Sequence, residues 1–225
     1  MIKFYLYVGG PNPRKVTLAL EEFGLDYQMV LVDIFKGEQH SAGYRAINPN
    51  GKVPAIEDDG VRVFDSNAIL LYLAGKHGRF LGNREDRGEL LSWLMFVATG
   101  LSPFSGQWIH FQTAGAADGG DYAKRRYGFE ARRHYEVMDA HLADKTHFLG
   151  DEYSIVDMAA WGWVELHEGV LGAGGLDSYP NVKAWYDRVN ARPAAERARG
   201  LSTTGGGKPA FDEEAARALF PSNFN

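Results

Sequence analysis

The chain has 225 residues, 45% of them hydrophobic and 13% aromatic, with a formal net charge of −5 and a pI near 5.8. That length supports two modest domains with real cores, and an acidic balance with dispersed basic residues argues against a polyanion-binding protein. It contains no cysteine, which excludes disulfide scaffolding, thiolate metal sites and a nucleophilic thiol of its own, so any sulfur chemistry must arrive on a ligand. No stretch reaches the roughly 18 apolar residues of a membrane helix, and Met1-Ile2-Lys3-Phe4 runs straight into a strand pattern without a secretory leader. The expectation is a soluble cytoplasmic protein with no membrane or nucleic-acid partner.

In chain order, Ile2 to Val8 is aromatic and β-branched and reads as a buried strand, broken at Gly9-Gly10-Pro11. Asn12 is placed to cap a helix with Pro13 at its first position; Val16, Leu20 and Phe23 follow at helical spacing, and Gly24 closes it. Tyr27 to Val32 returns as a second strand, completing a parallel βαβ unit. After the turn-rich run Ile47 to Lys52, the segments Val53–Glu57 and Val61–Phe64 flank Asp58-Asp59-Gly60, a strong hairpin signal. A proline at the start of a strand cannot donate to the ladder, and a cis peptide between Val53 and Pro54 would account for it. Ser66 is a candidate cap for a helix through Ile69, Leu70 and Leu73.

Beyond Leu81-Gly82-Asn83 the pattern becomes helical, rich in Ala, Leu, Arg and Trp. Residues 115–120 read as a loop between two long helices, and Ser154-Ile155-Val156-Asp157 as a capping box. A last long helix starts at Tyr179-Pro180-Asn181, residues 200–209 read as a flexible spacer, and Asp212 to Leu219 as a short helix. The fold class expected is an α/β thioredoxin-like domain of βαβ-ββα order at residues 1–82, an all-α helical bundle at 83–200, and a tail at 201–225. The seven histidines are scattered. His134 and His141 share a rough face, but no pair has metal-ligand spacing with a carboxylate, so no metal is expected.

Three spots stand out: Asn12-Pro13-Arg14-Lys15, Lys52-Val53-Pro54 and Asp65-Ser66. They combine a polar side chain beside a helix N-terminus, an extended backbone step and an acid–hydroxyl pair opening another helix. Together they suggest a surface for a small, charged, peptide-like thiol such as glutathione. With Asn48-Pro49-Asn50-Gly51-Lys52-Val53-Pro54, Phe64-Asp65-Ser66-Asn67-Ala68-Ile69 and Tyr153-Ser154-Ile155-Val156-Asp157, these motifs make the first 200 or so residues resemble the cytosolic glutathione transferases. Pro11-Asn12, Gly106-Gln107 and His110-Phe111 look most like the bacterial Nu class, whose members act as glutathione-dependent disulfide reductases. Gly10 stands where Nu-like proteins carry threonine, so a serine-type or threonine-type hydroxyl is absent there, and the lack of cysteine separates the chain from Omega-like and Beta-like thiol enzymes.

Free thiols titrate near pH 8.5, roughly, so a protein that uses glutathione must favour its thiolate. The amide of Asn12 can donate to sulfur beside a helix N-terminus, although Asn12 can equally be no more than a cap. Tyr7 is the rival activator, or simply a core aromatic. Val53, held by Pro54, can pair its backbone with the cysteinyl residue like an added strand. The resemblance implies that Lys52 and Gln39 hold the glycine carboxylate. Asp65 can accept the γ-glutamyl ammonium and Ser66 the α-carboxylate. Arg133 falls where Nu-like proteins place an arginine that reaches the ligand, and a solvated helix-face arginine is the plainer alternative. Phe104, Gln107, Trp108 and Phe111 are candidate walls of a second-substrate pocket between the layers, or core aromatics. The function expected is glutathione transfer to a small electrophile, disulfide reduction, or both; the alternative is a non-catalytic glutathione-binding regulatory module. The resemblance also implies a homodimer; Phe64, Leu90, Trp93 and Leu94 are candidates for its seam, or equally intradomain core.

Overall fold

A computed structural model describes residues 1–115, 120–201 and 212–224, in two compact units: Met1–Tyr72 with Ala194–Asn225, and Leu73–Pro193. The expected loop at 115–120 and spacer at 200–209 fall for the most part outside the described residues.

The first unit opens with β1 (Ile2–Leu6), α1 (Pro11–Phe23) and β2 (Tyr27–Leu31), followed by two 3-10 turns, Ile34–Lys36 and Glu38–His40, and by the short α2 (Ala42–Arg45). Then come β3 (Ala55–Asp58), β4 (Val61–Phe64) and the start of α3 (Ser66–His77). The sheet order is β2-β1-β3-β4. β1 runs parallel to β2 with Phe4 opposite Met29, and antiparallel to β3 with Phe4 opposite Ile56. Alternation in β1 turns Ile2, Phe4 and Leu6 inward, onto a core that includes Val16 and Leu20 of α1 and Ile69 and Leu70 of α3. The β3–β4 hairpin closes with Asp59 and Gly60 both at positive φ, 50° and 85°, the conformation an Asp-Gly turn supplies. β3 begins at Ala55 rather than Val53, because Pro54 has no N–H to give a ladder. The Val53–Pro54 peptide is cis.

The same unit contains two C-terminal helices that sequence periodicity did not connect to it. They are introduced after the intervening helices α4 (Arg87–Phe96), α5 (Ser102–Gln112), α6 (Gly120–His141), α7 (Ile155–Val164), α8 (His167–Leu171) and α9 (Pro180–Asn190). Helix α10 (Pro193–Leu201) follows α9, which is therefore not the last long helix, and Arg197 pairs with Glu21 of α1 at 2.5 Å. Helix α11 (Glu213–Leu219) is capped by Asp212, whose side chain accepts from the Ala215 N–H at 2.9 Å.

The second unit is helical. A π-helical turn, Val97–Leu101, joins α4 to α5, and there Gly100 lies so close under the His134 ring that a Cβ has no room. Trp161 of α7 and Trp185 of α9 are fully buried. Leu90 and Leu94 of α4 are buried, which fits the core alternative and leaves them unavailable to a seam. The exposed apolar side chains on that helix are Leu91 and Met95. Among the described residues no helix is long and apolar enough to cross a membrane.

Candidate functional site

Helix α1 starts at Pro11, with Gly10 as N-cap in extended backbone and no side-chain cap. Asn12 is therefore its second residue rather than its cap. The Arg14 N–H already bonds to Gly10 O at 3.2 Å, which places the helix start at Gly10-Pro11. Prolines have no N–H, so with Pro11 and Pro13 flanking it Asn12 brings the first turn a backbone donor as well as a side-chain amide. Just upstream, the Tyr7 ring stands edge-on to Phe35, with centroids 5.3 Å apart. It also lies against Gly9, where an added Cβ would come within 3.1 Å of it. Burial, with Asp33 nearby, pushes the Tyr7 hydroxyl above its ordinary pKa, so it stays a protonated donor.

A cleft of ≈ 210 Å³ lies at this helix end, lined among others by Tyr7, Asn12, Ile34, Gln39, His40, Lys52 and Val53. Lys52 is exposed, and its carbonyl is pinned by Tyr44 Oη and Asn48 Nδ2, each donating at 2.6 Å. That anchoring fixes the direction in which the Val53 backbone leaves the turn. Gln39 is buried, and its Oε1 has no partner among the described residues.

Asp65 and Ser66 are not part of that lining. Asp65, exposed and at φ 71°, is the true cap of α3: its Oδ1 accepts from the N–H groups of Asn67 and Ala68, at 2.9 and 3.1 Å. Ser66, expected as the cap, is instead the first helical residue and buried. Asp and Asn tolerate positive φ better than other residues with side chains, which is how the acid takes the cap from its neighbour.

Sequence reasoning missed two features here. One is Lys15, fully buried one turn beyond Asn12; burial lowers its pKa to about 7 against the opposing pull of Asp65. The other is the contribution of the C-terminus: Leu219 and Phe220 also line the cleft. The only sequence signal for the second was that Ala215-Ala216 and Leu219-Phe220 give so short a helix an apolar side to bury.

In the helical unit, Arg133 forks onto Glu130 Oε2 through Nε and Nη2 at 3.0 and 2.8 Å, and Glu130 also receives Arg126. Phe111 stacks on Tyr127 with an interplanar angle of 7°, and Phe104 stacks on His134. Trp108 Nε1 donates to Val170 O at 2.8 Å. Gln107 is exposed.

A mixed βαβ-ββα sheet with a cleft at the amino end of its first helix, followed by a helical unit, is the architecture of a two-part thioredoxin-fold protein. Residues 9–76 match the family model for the glutathione S-transferase N-terminal domain, and residues 128–193 that for the C-terminal domain. The chain belongs to the glutathione S-transferase family. It is 41% identical over 206 residues to the disulfide-bond oxidoreductase YfcG of Escherichia coli (strain K12), covering 88% of this chain and 94% of that one. A crystal structure of a glutathione transferase family member from Pseudomonas fluorescens pf-5, with two glutathione bound, superposes with a TM-score of 0.82 at 35% identity, over 89% of this chain and 92% of that one. A glutathione transferase from Pseudomonas putida, with one glutathione disulfide bound per subunit, gives 0.81 at 31% identity, over 91% and 92%.

Proposed function

We infer that this protein binds glutathione and uses its thiolate, chiefly to reduce small disulfides and also on electrophilic carbon. The observation that carries this is the cleft at the start of α1, which gathers Tyr7, Asn12, Gln39, Lys52 and Val53 in a chain without cysteine. The relatives support the disulfide branch, since one is named a disulfide-bond oxidoreductase and solved neighbours hold two glutathione or glutathione disulfide.

Asn12 donates to the glutathione sulfur. One such hydrogen bond is worth roughly 1–2 kcal/mol, or about one pKa unit, which raises the thiolate fraction at pH 7 from roughly 3% to roughly a quarter. Tyr7 is a secondary donor. The Val53 backbone pairs with the cysteinyl residue beside Pro54, and Lys52 and Gln39 attend the glycine end. Asp65 keeps one carboxylate oxygen for the γ-glutamyl ammonium while the other caps α3, and Ser66 takes the α-carboxylate. In disulfide reduction the bound thiolate attacks one sulfur, and the other leaves as a thiolate that takes up a proton. A second glutathione thiolate then attacks the mixed disulfide, so two glutathione become glutathione disulfide and the substrate becomes two thiols. In transfer, the same thiolate displaces a leaving group such as chloride from carbon. Arg133 and the side chains of Phe104, Gln107, Trp108 and Phe111 are assigned to the second ligand. The protein works as a homodimer in the cytoplasm, where reduced thiol is available.

Assays with hydroxyethyl disulfide and with a chlorinated aromatic, run side by side, test this. Turnover of the disulfide is expected to exceed that of the aromatic. Tight glutathione binding with activity on neither would make the protein a binding module, and sedimentation as a monomer would remove the dimer.

A further inference from the structure

The C-terminal helix α11 has only seven residues, too few to persist in water alone, yet it packs on the turn Ile34–Lys36 with Ala215 and Ala216 buried. Its carbonyl at Ala218 accepts from Gln39 Nε2 at 3.3 Å and faces His40 Nε2 at 3.2 Å. Arg45 Nη2 approaches His40 Nδ1 at 3.4 Å and can only donate. With the Nε2–H tautomer that the Arg45 contact favours, Ala218 O receives two donors; Gln39 Nε2 itself lies 3.2 Å from His40 Nε2. A helix-end carbonyl that has no partner within its own helix is satisfied by the two residues that begin the cleft wall.

The next two residues, Leu219 and Phe220, line the cleft together with Gln39, His40 and Lys52, and the cleft remains open at ≈ 210 Å³. They border the space rather than fill it. Gln39 gives one N–H to Ala218, and its buried Oε1 lacks a donor among the described residues. Had the amide been turned over, its oxygen would face the Ala218 oxygen, so the tail fixes which end of Gln39 seeks a ligand.

We propose that Ala218, Leu219 and Phe220 form a specificity wall for the third residue of the bound thiol. This rests on the glutathione reading above. Gln39 Oε1, oriented by Ala218, accepts the N–H of the cysteinyl–glycine amide, and Lys52 takes the terminal carboxylate. Leu219 and Phe220 leave room for glycine and exclude a larger side chain.

Calorimetry with three thiols tests the proposal: glutathione, γ-glutamylcysteine, which ends before that residue, and γ-glutamylcysteinylvaline, which enlarges it. The full chain should bind them in that order of affinity. A chain ending at Leu201 should bind glutathione about tenfold more weakly and γ-glutamylcysteine within about twofold of the full chain. Phe220→Ala, which leaves α11 and its Ala218 contact in place, should tighten the valine tripeptide by about fivefold or more. Where the shortened chain fails to fold by circular dichroism, the Phe220→Ala selectivity decides alone. Unchanged or tighter glutathione binding on truncation, parallel loss of glutathione and γ-glutamylcysteine, or unaltered selectivity in Phe220→Ala overturns the wall while the glutathione reading survives. A full chain that binds none of the three overturns both.

Discussion

The amino ends of α1 and α7 are built differently and put to opposite ends. At α7, Ser154 and Asp157 form a reciprocal capping box. Asp157 also accepts from the Phe148 N–H at 3.2 Å and from Trp185 Nε1 at 2.8 Å, all in a fully buried position. Each donor there has an acceptor inside the protein, and the helix end locks its surroundings together. At α1, the cap is Gly10 with no side-chain bond, prolines flank Asn12, and a cleft opens in front. One helix start is sealed by a side-chain capping box, while the other has no side-chain cap and opens on a cleft. A helix start sealed by its own side chains is architecture, and one that faces a cleft is a candidate site.

The sharpest way to break this contrast is to remove the acid at the closed end. Asp157→Ala strips the acceptor from Ser154, Phe148 and Trp185 at once and should cost about 3–5 kcal/mol of unfolding free energy. Denaturant titration measures it, and the folded fraction should still bind glutathione with unchanged affinity. A cost below about 1 kcal/mol would remove the distinction.

Lys15 gives the next largest effect, in the opposite direction. Its pKa is depressed from 10.5 to about 7 by complete burial. Between those two values the unfolded chain holds a proton that the folded chain does not, so this residue makes stability rise with pH from 7 to 10.5. Below pH 7 both states are protonated, and the penalty for the buried ammonium is present in full. Lys15→Met should therefore raise stability at neutral pH by about 1–3 kcal/mol and flatten the slope above pH 7, read from denaturant midpoints across pH. A stabilised variant that also loses glutathione affinity would mean that the buried amine is retained for the site through Asp65.

Much of this was legible in the sequence because the signals are local. The Asp-Gly hairpin, the capping box at Ser154 and the order of strands and helices each depend on a few adjacent residues. What was not legible depends on choices between neighbours or on distant contacts. Asn12 leads the ranking of caps, but Gly10-Pro11 took the helix start. Asp65 and Ser66 are both good caps, and only the positive φ of Asp65 decides between them. Leu90-Leu91 and Leu94-Met95 are apolar doublets, so spacing cannot say which member of each faces inward; burial assigns Leu90 and Leu94 to the core. The tail reaches Gln39 across 179 positions, a pairing that no periodicity encodes.

At the open end, Asn12→Ala should lower kcat/KM for disulfide reduction by about tenfold and move the apparent thiol pKa up by about one unit. Because Gly10 rather than Asn12 caps α1, the loss of unfolding free energy should stay below the roughly 1–2 kcal/mol that removal of a helix cap costs. Full turnover with an unshifted pH–rate profile would return Asn12 to the status of an ordinary first-turn residue.

Tyr7→Phe is the smallest perturbation and the one that ranks the two proposed donors. The ring contact with Phe35 and the close fit over Gly9 need no hydroxyl, so packing survives the change. The hydroxyl is held protonated by burial, so what disappears is a neutral donor to sulfur rather than a base. If Asn12 holds the sulfur, the second donor adds little and kcat/KM should stay within about twofold, the pH–rate profile unmoved. A loss from Tyr7→Phe larger than that from Asn12→Ala would reverse the ranking. The thiol would then be activated from the end of β1, and the open helix end would serve only to hold the peptide in register.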